Sequence, residues 1–223
     1  MPDAAVRIGL VHALAHSIAP INAELARAWP QARRMNLLDD SLSADLAASP
    51  SGLDERMTAR FLALADYAFG AGAAGLLFTC SAFGPCIDAV ARRWPERPVL
   101  KPNEAMIDDA VALAGKGVRR VALVATFAPT LASMPAEFPR DVEIVPVMVE
   151  GAMAALDRGD GAMHDRLAAD AVARAVTMPV GAIALSQFSL ARAAGAVARV
   201  TTAPVLTTPG SAVRALRARL GAR

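Results

Sequence analysis

Two lysines, Lys101 and Lys116, and two cysteines, Cys80 and Cys86, are all that this chain of 223 residues contains of either type. So few cysteines exclude a disulfide framework and imply a reducing, cytoplasmic setting. Aromatic residues make up 4%, with Tyr67 the single tyrosine, which argues against a large aromatic pocket. No apolar run reaches the roughly 18 residues of a membrane helix. The opening "MPDAAVRIGLV" carries Asp3 where a secretory signal carries basic residues, so no signal peptide and no membrane partner are expected. A net charge of +2, with arginines scattered rather than clustered, excludes a nucleic-acid footprint. A GxxxxGK[ST] phosphate loop is missing. So is any compact set of Cys, His and carboxylate residues at metal spacing, so no metal and no zinc site is expected. "GAGAAG" (70–75) fits GxGxxG, but it follows a helix and precedes a strand. That order makes it a helix C-cap and turn rather than a dinucleotide fingerprint.

Hydrophobic residues at 55% against 20% charged provide for a sizeable core. Short apolar runs alternate with amphipathic stretches. The expected strands are 6–11, 35–38, 74–79, 98–100, 120–125, 142–149, 182–186 and 204–206. Helical spacing appears between them, over 53–69, 165–176 and 211–220 among others. Such alternation implies βαβ units, a parallel sheet and right-handed crossovers.

The chain also repeats itself. "RIGLVHALAHS" (from 7) matches "RVALVATFAPT" (from 120), 113 residues on. "GLLFTCSAF" (from 75) matches "AIALSQFSL" (from 182), 107 residues on, and "RPVLK" (from 97) matches "APVLT" (from 203), 106 on. Three matches in one order at nearly constant offset imply two pseudo-symmetric α/β half-domains, each with a parallel four-stranded sheet. The expected division is 1–101 plus 208–223 for the first half and 102–207 for the second. Ligands of open parallel sheets bind beyond the carboxyl ends of the strands. Two facing halves would put those ends around one cleft, with Cys80 and Gln187 as pseudo-symmetric partners.

Cys80 ends an apolar strand, and Gly84-Pro85 opens the next helix. Amides near a helix N-terminus stabilise a thiolate, so a lowered thiol pKa is expected there; packing as a small hydrophobe is the alternative. Cys86 lies inside that helix and is expected to pack. His12 and His16 fall in the loop after the first strand, where a histidine is either solvated or catalytic. His164 is expected on a helix surface. Thr79, Ser81, Thr126, Thr130 and Ser189 lie near strand ends, where hydroxyls serve either a carboxylate ligand or caps and turns. Asp39 and Asp40 end the second strand, as an acid pair or as loop residues.

Over nearly its full length the chain resembles the aspartate/glutamate/hydantoin racemase superfamily. The features that carry the likeness are "RIGLVHALAHS", "LLFTCSAF", "VALVATFAPT" and "IALSQFSLA", in the family's order and spacing. The resemblance implies two α/β domains with an active site between them, no cofactor, and a small carboxylate or amino-acid-like substrate. In the racemases one thiolate removes the α-proton and an opposite thiol returns one, while hydroxyls and amides hold the carboxylate. Cys80 matches the first family cysteine. Where the second follows a Leu-Gly pair, this chain has Leu185-Ser186-Gln187. A carboxamide does not titrate near neutral pH, so the two-thiol mechanism does not carry over intact. Three readings follow. One is an isomerase with Cys80 as base or nucleophile and His12 or water as second proton carrier. The second is a lyase, as in the one-cysteine arylmalonate decarboxylases. The third is a degenerate carboxylate-binding protein. A homo-oligomer is compatible with each.

The substitution at 187 generates a test. The wild-type protein should exchange an α-proton or decarboxylate a substrate without inverting an amino acid, and Gln187→Cys should gain measurable racemisation. General acid–base groups contribute on the order of 10²–10⁴-fold, so even a poorly placed thiol registers by chiral chromatography, with Cys80→Ala as control. Efficient racemisation by wild type refutes one-faced chemistry.

Overall fold

The computed structural model describes residues 6–115 and 117–221. Asp3 and Lys116 lie outside them. The chain forms two compact units: residues up to Glu104 together with those from Ala212 on, and Ala105–Ser211.

In the first unit the order is β1 (Arg7–His12), α1 (Ile18–Ala28), β2 (Arg33–Leu38), α2 (Ser41–Ala48), α3 (Glu55–Gly70), β3 (Gly75–Phe78), α4 (Gly84–Arg93) and β4 (Val99–Leu100). The second runs α5 (Glu104–Ala114), β5 (Arg120–Ala125), α6 (Ala128–Ser133), β6 (Glu143–Met148), α7 (Ala152–Asp157), α8 (Gly161–Ala175), β7 (Ala182–Leu185), α9 (Ala194–Ala198) and β8 (Val205–Thr207). Helix α10 (Thr208–Arg219) follows, and from Ala212 on it belongs to the first unit. There Arg217 donates to the Ala28 carbonyl at 3.1 Å. Each sheet has four parallel strands, ordered β2-β1-β3-β4 and β6-β5-β7-β8.

The repeat is therefore a repeat of register. Val11 pairs with Phe78, and Val124 pairs with Leu185. Cys80 and Gln187 each lie two residues past that rung. The inner strands are buried on both faces, β3 and β7 throughout, which is why they read as unbroken apolar runs. The first sheet packs on α3 through Phe61 and Phe78, whose ring centroids lie 5.4 Å apart, with Phe83 just before α4 5.0 Å from Phe61 and Ile87 and Val90 of α4 in the same cluster. In the second unit, Val172, Ile183 and Leu190 share one cluster, and Met106, Leu123 and Phe138 another.

Element ends show how local chemistry shifts the expected boundaries. Helix α8 begins at Gly161, four residues before the apolar spacing suggests, because the Asp160 carboxylate caps it by accepting from the Met163 amide at 2.9 Å. Asp54 caps α3 in the same way, accepting from the Met57 amide at 2.8 Å. "GAGAAG" is a helix exit, with Gly72 at φ +86 and the Ala73 amide returning to the Ala68 carbonyl. Cys86 is fully buried in α4, as packing requires. His164 corrects an expectation: it is fully buried, not on the surface. It falls on the stripe of α8 that also buries Ala168, Ala171 and Val172. Among the described residues no helix is long and apolar enough to cross a membrane.

Gly181, just before β7, is packed without room for a side chain. An added Cβ would lie 2.5 Å from the Val118 carbonyl oxygen and 2.8 Å from the Ala114 Cα, both backbone atoms. Gly181→Ala should therefore destabilise by about 1–3 kcal/mol, the usual cost of overpacking. Gly195, in α9, has nothing within 4 Å of its Cβ position, and Gly195→Ala should stabilise by about 0.4–1 kcal/mol. Urea denaturation of the two variants checks both signs.

Candidate functional site

The carboxyl ends of the strands in the two units carry different chemistry. In the first unit, the Thr79 amide donates to the Val11 carbonyl at 3.0 Å, one rung beyond β3. Cys80 follows in extended conformation (φ −128, ψ 121) and starts the 3-10 turn Ser81–Phe83, which runs into α4 with Pro85 in its first turn. The half-buried thiol sits on a recess lined by Val11, His12, Leu42, Phe61 and Phe78, too narrow for a water molecule. Burial pushes its pKa above the ordinary 9.0, and a hydrogen bond from the Ala82 amide offsets this only in part. This corrects the expectation of a lowered thiol pKa. The turn supplies one amide, while the apolar recess strips water from the charge. At neutral pH Cys80 rests as the protonated thiol.

His12 is the last residue of β1, not a loop residue, and it is fully buried. Its Nδ1 lies 2.9 Å from Thr79 Oγ1 and its Nε2 3.1 Å from Asn36 Oδ1. Asn36 Nδ2 in turn donates to Asn22 Oδ1 at 3.4 Å. Burial lowers the His12 pKa, against a smaller upward pull from Asn36, so the ring is neutral at pH 7. With Nε2–H donating to Asn36, the Thr79 hydroxyl donates to Nδ1. His12 thus ties β1 to β2 and to the residue before Cys80, with both nitrogens engaged. Its ring lines the Cys80 recess, but no ring nitrogen is left over for a substrate in this arrangement.

Asp39 and Asp40 do not form an acid pair. Burial pushes the Asp39 carboxyl up, but hydrogen bonds from Arg60 (2.6 Å) and Ser41 (2.8 Å) and the Arg60 charge outweigh it and hold the pKa below the usual range. Arg60 also pairs with Asp45 on α2. This clamp holds α2, which contributes Leu42 to the recess. Ser81 is exposed beside Cys80, and His16 is half-buried.

In the second unit, the Ser186 amide donates to the Val124 carbonyl at 3.0 Å, and the Ser186 hydroxyl reaches the same oxygen at 2.7 Å. Gln187 follows in extended conformation (φ −133, ψ 146). Its Oε1 accepts from the Thr126 amide at 2.5 Å and from the Thr126 hydroxyl at 2.9 Å. Thr126 therefore spends its donors on Gln187. Thr130, in α6, and Ser189, in the 3-10 segment Phe188–Ala193, are buried. The segment that begins at Gln187 is braced from α8: Arg192 Nε donates to Asp165 Oδ1 at 2.8 Å, and His164 Nδ1 lies 2.9 Å from the same oxygen.

The structure thus brings together Cys80, His12 and Thr79 in one unit, and Gln187, Thr126 and Ser189 in the other. Sequence reasoning missed Asn36, Arg60 and the Asp165–Arg192 brace. All three act through partners distant in the chain, and no local pattern announces them. Among the described residues no group of three His, Cys, Asp or Glu side chains is placed to hold a metal ion.

No protein-family model matches the chain, and no curated protein sequence does. Solved structures do. Allantoin racemase from Klebsiella pneumoniae superposes with a TM-score of 0.69 at 18% identity, covering 97% of this chain and 89% of that one. A glycine-to-cysteine mutant of arylmalonate decarboxylase in its sulfate-associated form gives 0.68 at 20%, covering 96% and 93%. Glutamate racemase from Francisella tularensis, in complex with D-glutamate, gives 0.65 at 15%, covering 97% and 81%. The chain has the α/β fold of these enzymes. Fold alone does not fix a reaction.

The environment of Cys80 makes a pH prediction. Alkylation by iodoacetamide needs the thiolate. The Cys80 rate should rise about tenfold per pH unit through neutrality, because the pKa lies well above the assay pH, and its midpoint should fall above 9.0. Cys86, fully buried, should react more slowly throughout. Site-resolved mass spectrometry reads both, and a Cys80 midpoint below 8 contradicts the desolvated recess.

Proposed function

We propose that the protein is a cofactor-independent enzyme of the racemase/isomerase kind, moving a proton at the α-carbon of a small carboxylate with Cys80 as the proton-carrying group. The observation that carries this reading is the Cys80 thiol: beyond the last rung of an inner strand, in an apolar recess, with the Ala82 amide directed at its sulfur. The fold shared with racemases and a decarboxylase supports it. Two free thiols and no demand for an oxidising compartment fit a cytoplasmic enzyme.

The chemistry follows from the raised pKa. A thiol protonated at neutral pH is a ready donor: the S–H bond breaks, a C–H bond forms at the α-carbanion, and thiolate remains. The Ala82 N–H then stabilises that thiolate. In reverse, the thiolate takes the α-proton and leaves the electron pair on carbon. Desolvation that makes the thiolate hard to form also makes it a stronger base, which suits so weak a carbon acid. His12 acts by position: its bonds to Thr79 and Asn36 fix the residue next to the thiol.

One observation favours a second reading. Gln187 occupies the register-equivalent place and carries no titratable proton. A lyase needs only one proton donor. Loss of carbon dioxide breaks the C–C bond and leaves the pair on the α-carbon; Cys80 protonates it and regains its proton from solvent.

Incubation in D₂O with a panel of amino acids, hydantoins and malonates separates the two. Deuterium at the α-carbon marks proton transfer, and a decarboxylated, singly deuterated product marks a lyase. Cys80→Ala should lose on the order of 10²–10⁴-fold in either reaction. Full activity in Cys80→Ala refutes both.

A further inference from the structure

We infer that Gln187 is a fixed hydrogen-bond donor that anchors a carboxylate oxygen of the substrate, with Thr126 as the positioning residue that aims it. The inference rests on the reading above that the protein takes a small carboxylate.

The two ends of a carboxamide differ only in chemistry, and here the chemistry decides which is which. A backbone N–H can only donate, so the Gln187 atom 2.5 Å from the Thr126 amide must be the acceptor, Oε1. The Thr126 hydroxyl donates to the same atom at 2.9 Å. Both lone pairs of Oε1 are then used, and the amide plane cannot turn over without placing an N–H against an N–H. The Nε2 amino group is thereby directed away from Thr126. It has no partner among the described residues, and Gln187 is only half-buried, so the group stays open to a ligand. Two donors received at the oxygen polarise the amide and strengthen its own N–H groups as donors.

The place matters as much as the orientation. Gln187 lies two residues beyond the Val124–Leu185 rung, where open parallel sheets take ligands. A neutral, doubly donating group there selects an acceptor, and a negatively charged oxygen makes the stronger bond. Thr130 and Ser189, within four residues of Thr126 and Gln187, are buried, and neither hydroxyl has a partner among the described residues. The residue at the thiol-equivalent position thus holds substrate rather than exchanging its proton.

The experiment uses ¹⁵N-labelled protein titrated with malonate and, separately, with L-glutamate. The Gln187 amino resonances, assigned by their loss in Gln187→Met, should be a resolved pair and should shift saturably with the Kd that calorimetry reports. Gln187→Met should weaken binding about ten- to a hundredfold, the usual range for a hydrogen bond to a charged group. Gln187→Glu should abolish it, because one oxygen takes the Thr126 donors and the other repels the ligand. Thr126→Val should broaden the amino pair and weaken binding, and Thr126→Ser should restore both. If either carboxylate binds while the Gln187 pair stays still, or Gln187→Met binds as wild type does, the anchoring role is wrong and the carboxylate reading stands. If neither ligand binds and no substrate exchanges its α-proton in D₂O, both fall.

Discussion

The last rung of each parallel ladder sets everything beyond it. Thr79 N–H to Val11 C=O and Ser186 N–H to Val124 C=O, both 3.0 Å, close the pairing of the two inner strand pairs. In strands buried on both faces, a slip of one residue would turn every side chain to the opposite face. The core clusters on either side forbid that, so the residue after each rung has little freedom. The Val124 carbonyl also accepts the Ser186 hydroxyl at 2.7 Å, whereas the Thr79 hydroxyl gives its one proton to His12. Hydroxyls that resemble ligand donors in the sequence are partly devoted to such internal bonds.

From that shared frame the two ends diverge electrostatically. At Cys80, desolvation outweighs one amide hydrogen bond, and the group keeps its proton. At His12, desolvation removes a proton, and the neutral ring becomes a cross-tie between β1, β2 and the residue that follows β3. At Gln187 there is no proton to gain or lose, and two donors from one threonine fix the dipole instead. Burial thus acts with opposite sign on the thiol and the imidazole, yet leaves both neutral.

The fold was largely legible because its signal is periodic. All eight strands overlap the spans expected from the sequence, and β5 (Arg120–Ala125) matches to the residue. The internal offsets anticipate the shared strand order. Side-chain environments were less legible, since they depend on residues far away in the chain. His164 reads in the sequence as a surface histidine, but it falls on the stripe of α8 that packs into the core. His12 looked like a loop residue because β1 continues one step past its last apolar side chain. The helix after Cys80 was visible, but Phe61 and Leu42, which dry the thiol, come from α3 and α2. The candidate site was therefore readable as a set of positions and not as a set of protonation states.

The carboxamide at 187 also bears on how the protein meets oxidants. Thiolates climb the ladder from sulfenic to sulfonic acid, while an amide is inert to peroxide. With Gln187 in place, β7 is followed by no thiol. Of the two thiols in the chain, Cys86 is sealed in the core and Cys80 is protonated at neutral pH. Protonated thiols oxidise slowly. Of its two thiols the chain thus leaves one partly exposed, and that one in its less reactive form.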